Sequence, residues 1–137
     1  MLVLDTNHLS ELERDSPAGQ RCATRLRQAA PREVALTIVT VEEQLRGWLA
    51  EISRHRDPTR QIAPYARLQR QVESVNNWLI LPWDAESAAL FPGFRARGIR
   101  IGTMDLKIAC IAIAHDATLL TRDISDFAQV PDLRVEN

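Results

Sequence analysis

Met1-Leu2-Val3-Leu4-Asp5-Thr6-Asn7, at the head of the chain, is four apolar residues that stop abruptly at three polar ones. That pattern predicts a short buried strand over Met1–Leu4 ending in a polar turn. Outward from it, a helix is expected through Leu9 to Arg14, stopping near Ser16-Pro17. A second is expected from Gly19 to Ala30, ending before Pro31. The β-branched run Val34–Val39 predicts strand two. Thr40 then opens a helix with Val41, Leu45, Trp48, Leu49 and Ile52 along one side. Asp57-Pro58 breaks it, and Gln61–Trp78 predicts another helix with Leu68, Val72, Val75 and Leu79 on one face. Leu79–Trp83 reads as strand three, and Asp84 caps a helix through Phe91. Pro92-Gly93 and Gly98 mark an irregular stretch leading to Ile101-Gly102. Thr103 caps a helix over Met104–His115, with Met104, Ile108, Ile111 and Ala112 facing inward. Ala117–Thr121 is strand four, and Leu133–Val135 a short fifth.

Strands alternating with helices predict an α/β fold, in which a parallel sheet of four or five strands is covered on both faces. In such sheets ligands collect beyond the carboxyl ends of the strands, where the strand order reverses. Asp5 and Asp123 fall just past strands, and Glu43 and Asp105 fall in first turns of helices. Four acids from distant parts of the chain are thereby expected to meet at one edge. The 137 residues fit one domain over 1–137, and 45% apolar content suffices for one packed core. No apolar run approaches the roughly 20 residues that cross a bilayer, and no basic segment precedes a long apolar stretch, so a cytoplasmic chain is expected. Cys22 and Cys110 match no disulfide or zinc spacing and are expected to be buried free thiols.

A formal net charge of -1 points to no partner, but its make-up says more. Among 17 basic residues Lys107 is the only lysine; the rest are arginines, whose planar fork suits phosphate. If five acids sit together in one site, 13 of the 18 remain against 17 bases, leaving the rest of the surface at about +4.

Each acid taken alone has a structural explanation. Asp5 suits a helix cap, and Thr40-Val41-Glu42-Glu43 matches a capping box in which Glu43 reaches back to Thr40. Asp105 suits the dipole of its helix, and Asp123 and Asp126 are common turn residues. Gathered without bases, however, carboxylates repel one another unless a cation offsets them. Hard divalent cations such as Mg²⁺ take carboxylate oxygens, and need no His or Cys. Such a site can hold a phosphodiester and assist in-line attack by water.

Four segments carry a resemblance: Val3-Leu4-Asp5-Thr6-Asn7, Thr40-Val41-Glu42-Glu43-Gln44-Leu45-Arg46-Gly47, Asp105-Leu106-Lys107-Ile108-Ala109, and Leu120-Thr121-Arg122-Asp123-Ile124-Ser125-Asp126-Phe127. Their order and spacing resemble the motifs of PIN-domain nucleases, in particular the VapC-type toxins of toxin–antitoxin pairs. The resemblance implies a PIN-like three-layer α/β/α sandwich, and maps catalytic and metal-holding acids onto Asp5, Glu43, Asp105 and Asp123, with Asp126 as a further metal ligand. The second acid is selected as the glutamate three residues after Thr40 and four before Gly47. The helical wheel sets Glu43 opposite the apolar stripe and Glu42 at its edge, so Glu42 stays in reserve. Many such toxins carry Asn where this chain has Asp123, leaving open which of Asp123 and Asp126 touches metal. Thr6, Asn7 and Thr121 are candidate hydrogen-bonders that orient the acids. The resemblance further implies RNA hydrolysis with Mg²⁺ or Mn²⁺, a homodimer, and inhibition by a cognate antitoxin.

Arg46, Arg97, Arg100 and Arg122 flank these motifs and could meet RNA phosphates, although a solvated or ion-paired role is the commoner one for each. Trp48, Trp78 and Trp83 invite base stacking, with packing favoured for Trp48 and Trp78. His8 is expected to point along the first helix. Two other functions compete with the nuclease. One is a phosphatase with an Asp after strand one, which commonly wants a second Asp where Asn7 stands. The other is a PIN-like scaffold that binds RNA or protein without cutting, for which loss of acids would be the mark.

Overall fold

A computed structural model describes residues 1–13, 16–28 and 33–137, apart from the side chain of Glu11. The elements are β1 (Leu2–Leu4), α1 (Thr6–Glu13), α2 (Pro17–Gln28), β2 (Val34–Thr37), α3 (Ile38–Arg54), α4 (Ile62–Val75), β3 (Leu79–Leu81), α5 (Ala85–Ala96), α6 (Thr103–Ala114), β4 (Thr118–Leu120), α7 (Ile124–Phe127) and β5 (Arg134–Glu136). The helix ends expected at Arg14 and at Ala30-Pro31 lie outside the described residues.

The five strands form one parallel sheet in the order β3-β2-β1-β4-β5. The chain leaves β1 toward β2 and β3, then returns to add β4 on the other side, so the order reverses at β1. Alternation along each strand feeds two apolar layers. Val3, Ala35 and Leu119 join Phe94, Ile108, Ile111 and Phe127 on one face. Leu2, Leu4, Leu36 and Leu120 pack with Leu9, Leu12 and Leu26 on the other. The result is the expected three-layer α/β/α sandwich. α6 is buried nearly all round, with Leu106, Ile108, Ala109, Cys110, Ile111 and Ala112 in the core.

Several boundaries differ from the sequence reading, for local reasons. The run Val34–Val39 is strand only to Thr37, because Thr37 caps α3: its Oγ1 accepts from Thr40 N at 3.0 Å and lies 3.1 Å from Thr40 Oγ1. The helix therefore starts at Ile38, Thr40 is buried inside it, and there is no capping box at Thr40. α5 runs through Pro92-Gly93 to Ala96 instead of stopping at Phe91. It ends where Gly98 adopts a φ of 86°, a left-handed conformation that glycine takes without strain. α6 is capped by Gly102, with Thr103 its first residue. On α4 the buried residues are Pro64 and Gln71, while Val72 and Leu79 of the expected apolar face are exposed. Leu49 of the expected α3 stripe is exposed too. Cys110 is buried and Cys22 only half-buried. Among the described residues, no helix is long and apolar enough to cross a membrane.

Candidate active site

The register Leu4↔Leu120 sets the next residues of β1 and β4, Asp5 and Thr121, side by side where the strand order reverses. Asp5 is 5% exposed, and each oxygen of its carboxylate accepts one hydrogen bond. Oδ1 accepts from His8 N at 2.9 Å, capping α1, while Oδ2 accepts from the buried Thr121 hydroxyl. Thr121 Oγ1 in turn accepts from Asp123 N at 3.0 Å. One threonine thus ties the acid after β1 to the turn after β4.

Glu43 and Asp105 reach the same mouth from two helices. Glu43 is in the second turn of α3, not the first, because Thr37 moved the helix start forward by three residues. It does not reach back to Thr40; Thr6 Oγ1 donates to Glu43 Oε1 at 3.1 Å. Partial burial pushes the Glu43 carboxyl above its ordinary range; the Thr6 bond pulls it back, and the charges of Asp105, Asp5 and Glu42 push it further up. Asp105, in the first turn of α6, is also raised by burial, then by the charges of Asp123, Asp5 and Asp126. Asp126 is exposed, and its pKa is raised first by the hydrogen bond that its protonated carboxyl can donate to Asp123 and then by the charge of Asp123.

All five acids therefore share one electrostatic neighbourhood at the carboxyl ends of β1 and β4. Glu42 turns away to Arg46, its Oε2 2.6 Å from Nη2. Of the two glutamates only Glu43 is hydrogen-bonded into the mouth, and Arg46 is ion-paired. Arg97, Arg100 and Arg122 are exposed.

Among the described residues, no Arg, Lys or His forms an ion pair with Asp5, Glu43, Asp105, Asp123 or Asp126. Nor are three His, Cys, Asp or Glu side chains gathered tightly enough, as they stand, to hold one ion between them. The acids are near enough to repel, and no base among the described residues is paired with them. An all-carboxylate donor set of this kind fits a hard divalent cation, which would draw the side chains inward.

Of the candidate orienting groups, Thr6 and Thr121 contact the acids, whereas Asn7 is exposed. His8 was missed. It is 9% exposed, its backbone N–H holds Asp5, and its Nε2 is buried with no hydrogen-bond partner among the described residues. Spacing from Asp5 gave no hint of that burial. Trp83 packs edge-on against Phe91, with Lys107 Nζ 5.6 Å from its ring centre. Trp78 packs against the layer of Leu2 and Leu4.

Carboxylates thus converge at the strand reversal of a parallel α/β sheet, and the comparisons with known proteins say which family this fold belongs to. The PIN domain profile matches residues 2–133, and the chain belongs to the PIN-domain family. It is similar to the toxin FitB of Neisseria gonorrhoeae, at 29% identity over 93% of this chain and 91% of that protein. Similarity to the ribonuclease VapC1 of Haemophilus influenzae is 25% identity over 96% of this chain and 93% of that one. The crystal structure of FitAcB from Neisseria gonorrhoeae superimposes with a TM-score of 0.71, at 28% identity, over 100% of this chain and 97% of that one.

Proposed function

We propose that this chain, acting as one domain, is a metal-dependent endoribonuclease that hydrolyses RNA phosphodiester bonds, and is the toxin of a toxin–antitoxin pair. One observation carries the proposal: five acids share the mouth after β1 and β4, with Glu43 and Asp105 held above their ordinary range and no ion-paired base among the described residues. Similarity to a ribonuclease and to a toxin over nearly the whole chain supports the same reading. The scaffold alternative calls for lost acids, and all are present.

Asp5, Glu43, Asp105 and Asp123, with Asp126 beside them, would hold Mg²⁺ or Mn²⁺. When bound, such an ion supplies Lewis acidity at the phosphodiester and offsets charge that develops there. The chain's own work is orientation. Thr121 fixes the Asp5 carboxylate against the β4 turn, Thr6 turns Glu43 toward the mouth, and the buried α6 holds Asp105 rigidly. The partners that follow from this reading are RNA as substrate, a cognate antitoxin and a second copy of the chain as homodimer, with the cytoplasm as the place of action.

Incubation with mixed RNA tests the reading. Cleavage should require Mg²⁺ or Mn²⁺, stop with EDTA and vanish in Asp5→Asn. Expression of wild type alone should arrest growth, and Asp5→Asn should not. RNA left intact under every metal, or cleaved equally by Asp5→Asn, overturns it.

A further inference from the structure

Beside the carboxylate mouth lies a groove of about 910 Å³ walled by α1, α3 and α4. It begins at Thr6, whose hydroxyl already holds Glu43, and runs one helix face away past Ser10. From Thr6 to Glu13 the α1 wall extends about 10 Å at 1.5 Å per residue. Its size is that of a pocket for a sizeable ligand, well beyond what an ion fills.

Its chemistry is selective. Arg67 and Arg70 line the α4 side, and neither forms an ion pair among the described residues. Of the two acids of the groove, Glu51 is already ion-paired. Glu51 is held by Arg54 at 3.2 Å and lies 3.4 Å from His55, while Glu13 stands at the far end of the α1 wall. The guanidinium of Arg67 lies over the Trp48 ring, 5.7 Å from its centre, making a flat stacking surface. Gln71 is 6% exposed. Its Nε2 donates to Gln44 Oε1 at 2.7 Å, but its own Oε1 is buried and accepts from nothing among the described residues. A buried acceptor left unpaired costs about 1–3 kcal/mol, so a ligand donor that reached it would recover that cost.

We propose that this groove is the track for the single-stranded RNA flanking the bond to be cut. Arg67 and Arg70 meet its phosphates, the Arg67–Trp48 pair stacks a base, and Gln71 accepts from a base-edge amine. The proposal rests on the ribonuclease reading above and adds where the strand lies. Unpaired cations, a planar stack and a carboxamide acceptor match the three features by which single strands are held: phosphate, base face and base edge. Two arginines with no ion pair among the described residues, beside a Glu51 already held by Arg54, favour an anionic strand over a peptide.

The test is equilibrium binding of a short labelled single-stranded RNA in EDTA, read by anisotropy across a salt series. The variants are Arg70→Gln, which removes no hydrogen bond or ion pair among the described residues, and Arg67→Gln with Arg70→Gln. Each lost phosphate contact should flatten the slope of log K against log salt by about 0.7, so the double variant should flatten it by about 1.4. At moderate salt its affinity should fall on the order of tenfold with unchanged Mn²⁺ affinity, and Arg70→Gln alone should keep the wild-type melting temperature. Slopes and affinities equal to those of a wild type that cleaves RNA overturn the groove assignment alone. Loss of affinity for an antitoxin peptide, with RNA binding intact, assigns the groove to a peptide and overturns it too. A wild type that neither binds nor cleaves RNA brings down the ribonuclease reading with it.

Discussion

The two helices that bring Glu43 and Asp105 to the mouth are anchored in opposite ways. α6 is core: six of its twelve residues are buried, and Asp105 sits in the first turn of a rod fixed by packing on all sides. α3 is a surface helix: four of its seventeen residues are buried, and Glu43 is held in place by one hydroxyl from α1. The site is thus built from a rigid arm and an adjustable one. Burial sets the position of Asp105, and a single side-chain hydrogen bond sets that of Glu43.

The sharpest way to break the comparison is Asp105→Asn. Loss of an outer hydrogen-bond partner costs about 10–100-fold in activity or metal affinity, and loss of Asp105 should cost more than that in RNA cleavage. Melting temperature should hold or rise, because one of the mutually repelling charges is gone. An unfolded Asp105→Asn protein would make the residue structural. Next, Ile111→Ala in α6 should destabilise by about 3 kcal/mol in urea unfolding, as expected for a fully buried side chain. Leu49→Ala on the exposed side of α3 should stay within about 0.5 kcal/mol. Equal effects would erase the distinction between the two arms.

Smaller still, Thr6→Val should lower Mn²⁺ affinity about tenfold with little change in stability, since it frees Glu43 without touching the core. The pH response should be the most modest effect. Glu43 and Asp105 have raised folded-state values, so their contribution to apo stability is fully present below the ordinary carboxyl values of 4.5 and 3.8. It is lost as pH rises through the raised ones. The metal-free protein should therefore melt higher at mildly acidic pH than at neutrality, and Mg²⁺ should reverse the order by favouring the ionised acids. A flat apo profile would contradict the repulsion.

The sequence carried the architecture well where a long-range pattern was at stake. Apolar runs ending in polar turns placed all five strands, and their alternation with helices gave the parallel sheet and the mouth where the order reverses. Local competition was harder to read. The β-branched Ile38 and Val39 look like strand, yet one threonine side chain at Thr37 starts a helix there, which moves Glu43 a turn inward. Pro92-Gly93 looks like a break, yet Pro92 is accommodated within α5. The gathering of the acids was inferable from topology. Their holders were only partly so: Thr6 and Thr121 were candidates, whereas the buried His8 and the Gln71 acceptor depend on packing across 27 residues or more, or on burial that spacing does not encode.

The central claim is that acids from β1, α3, α6 and the turn after β4 serve one divalent cation. Calorimetric titration of Mn²⁺ into wild type, Asp5→Asn and Asp105→Asn tests it most directly. Wild type should bind with saturable heat, and both variants, although folded, should lose most of that affinity. Wild type that binds no Mn²⁺, or either variant binding as wild type does, would contradict a shared ion.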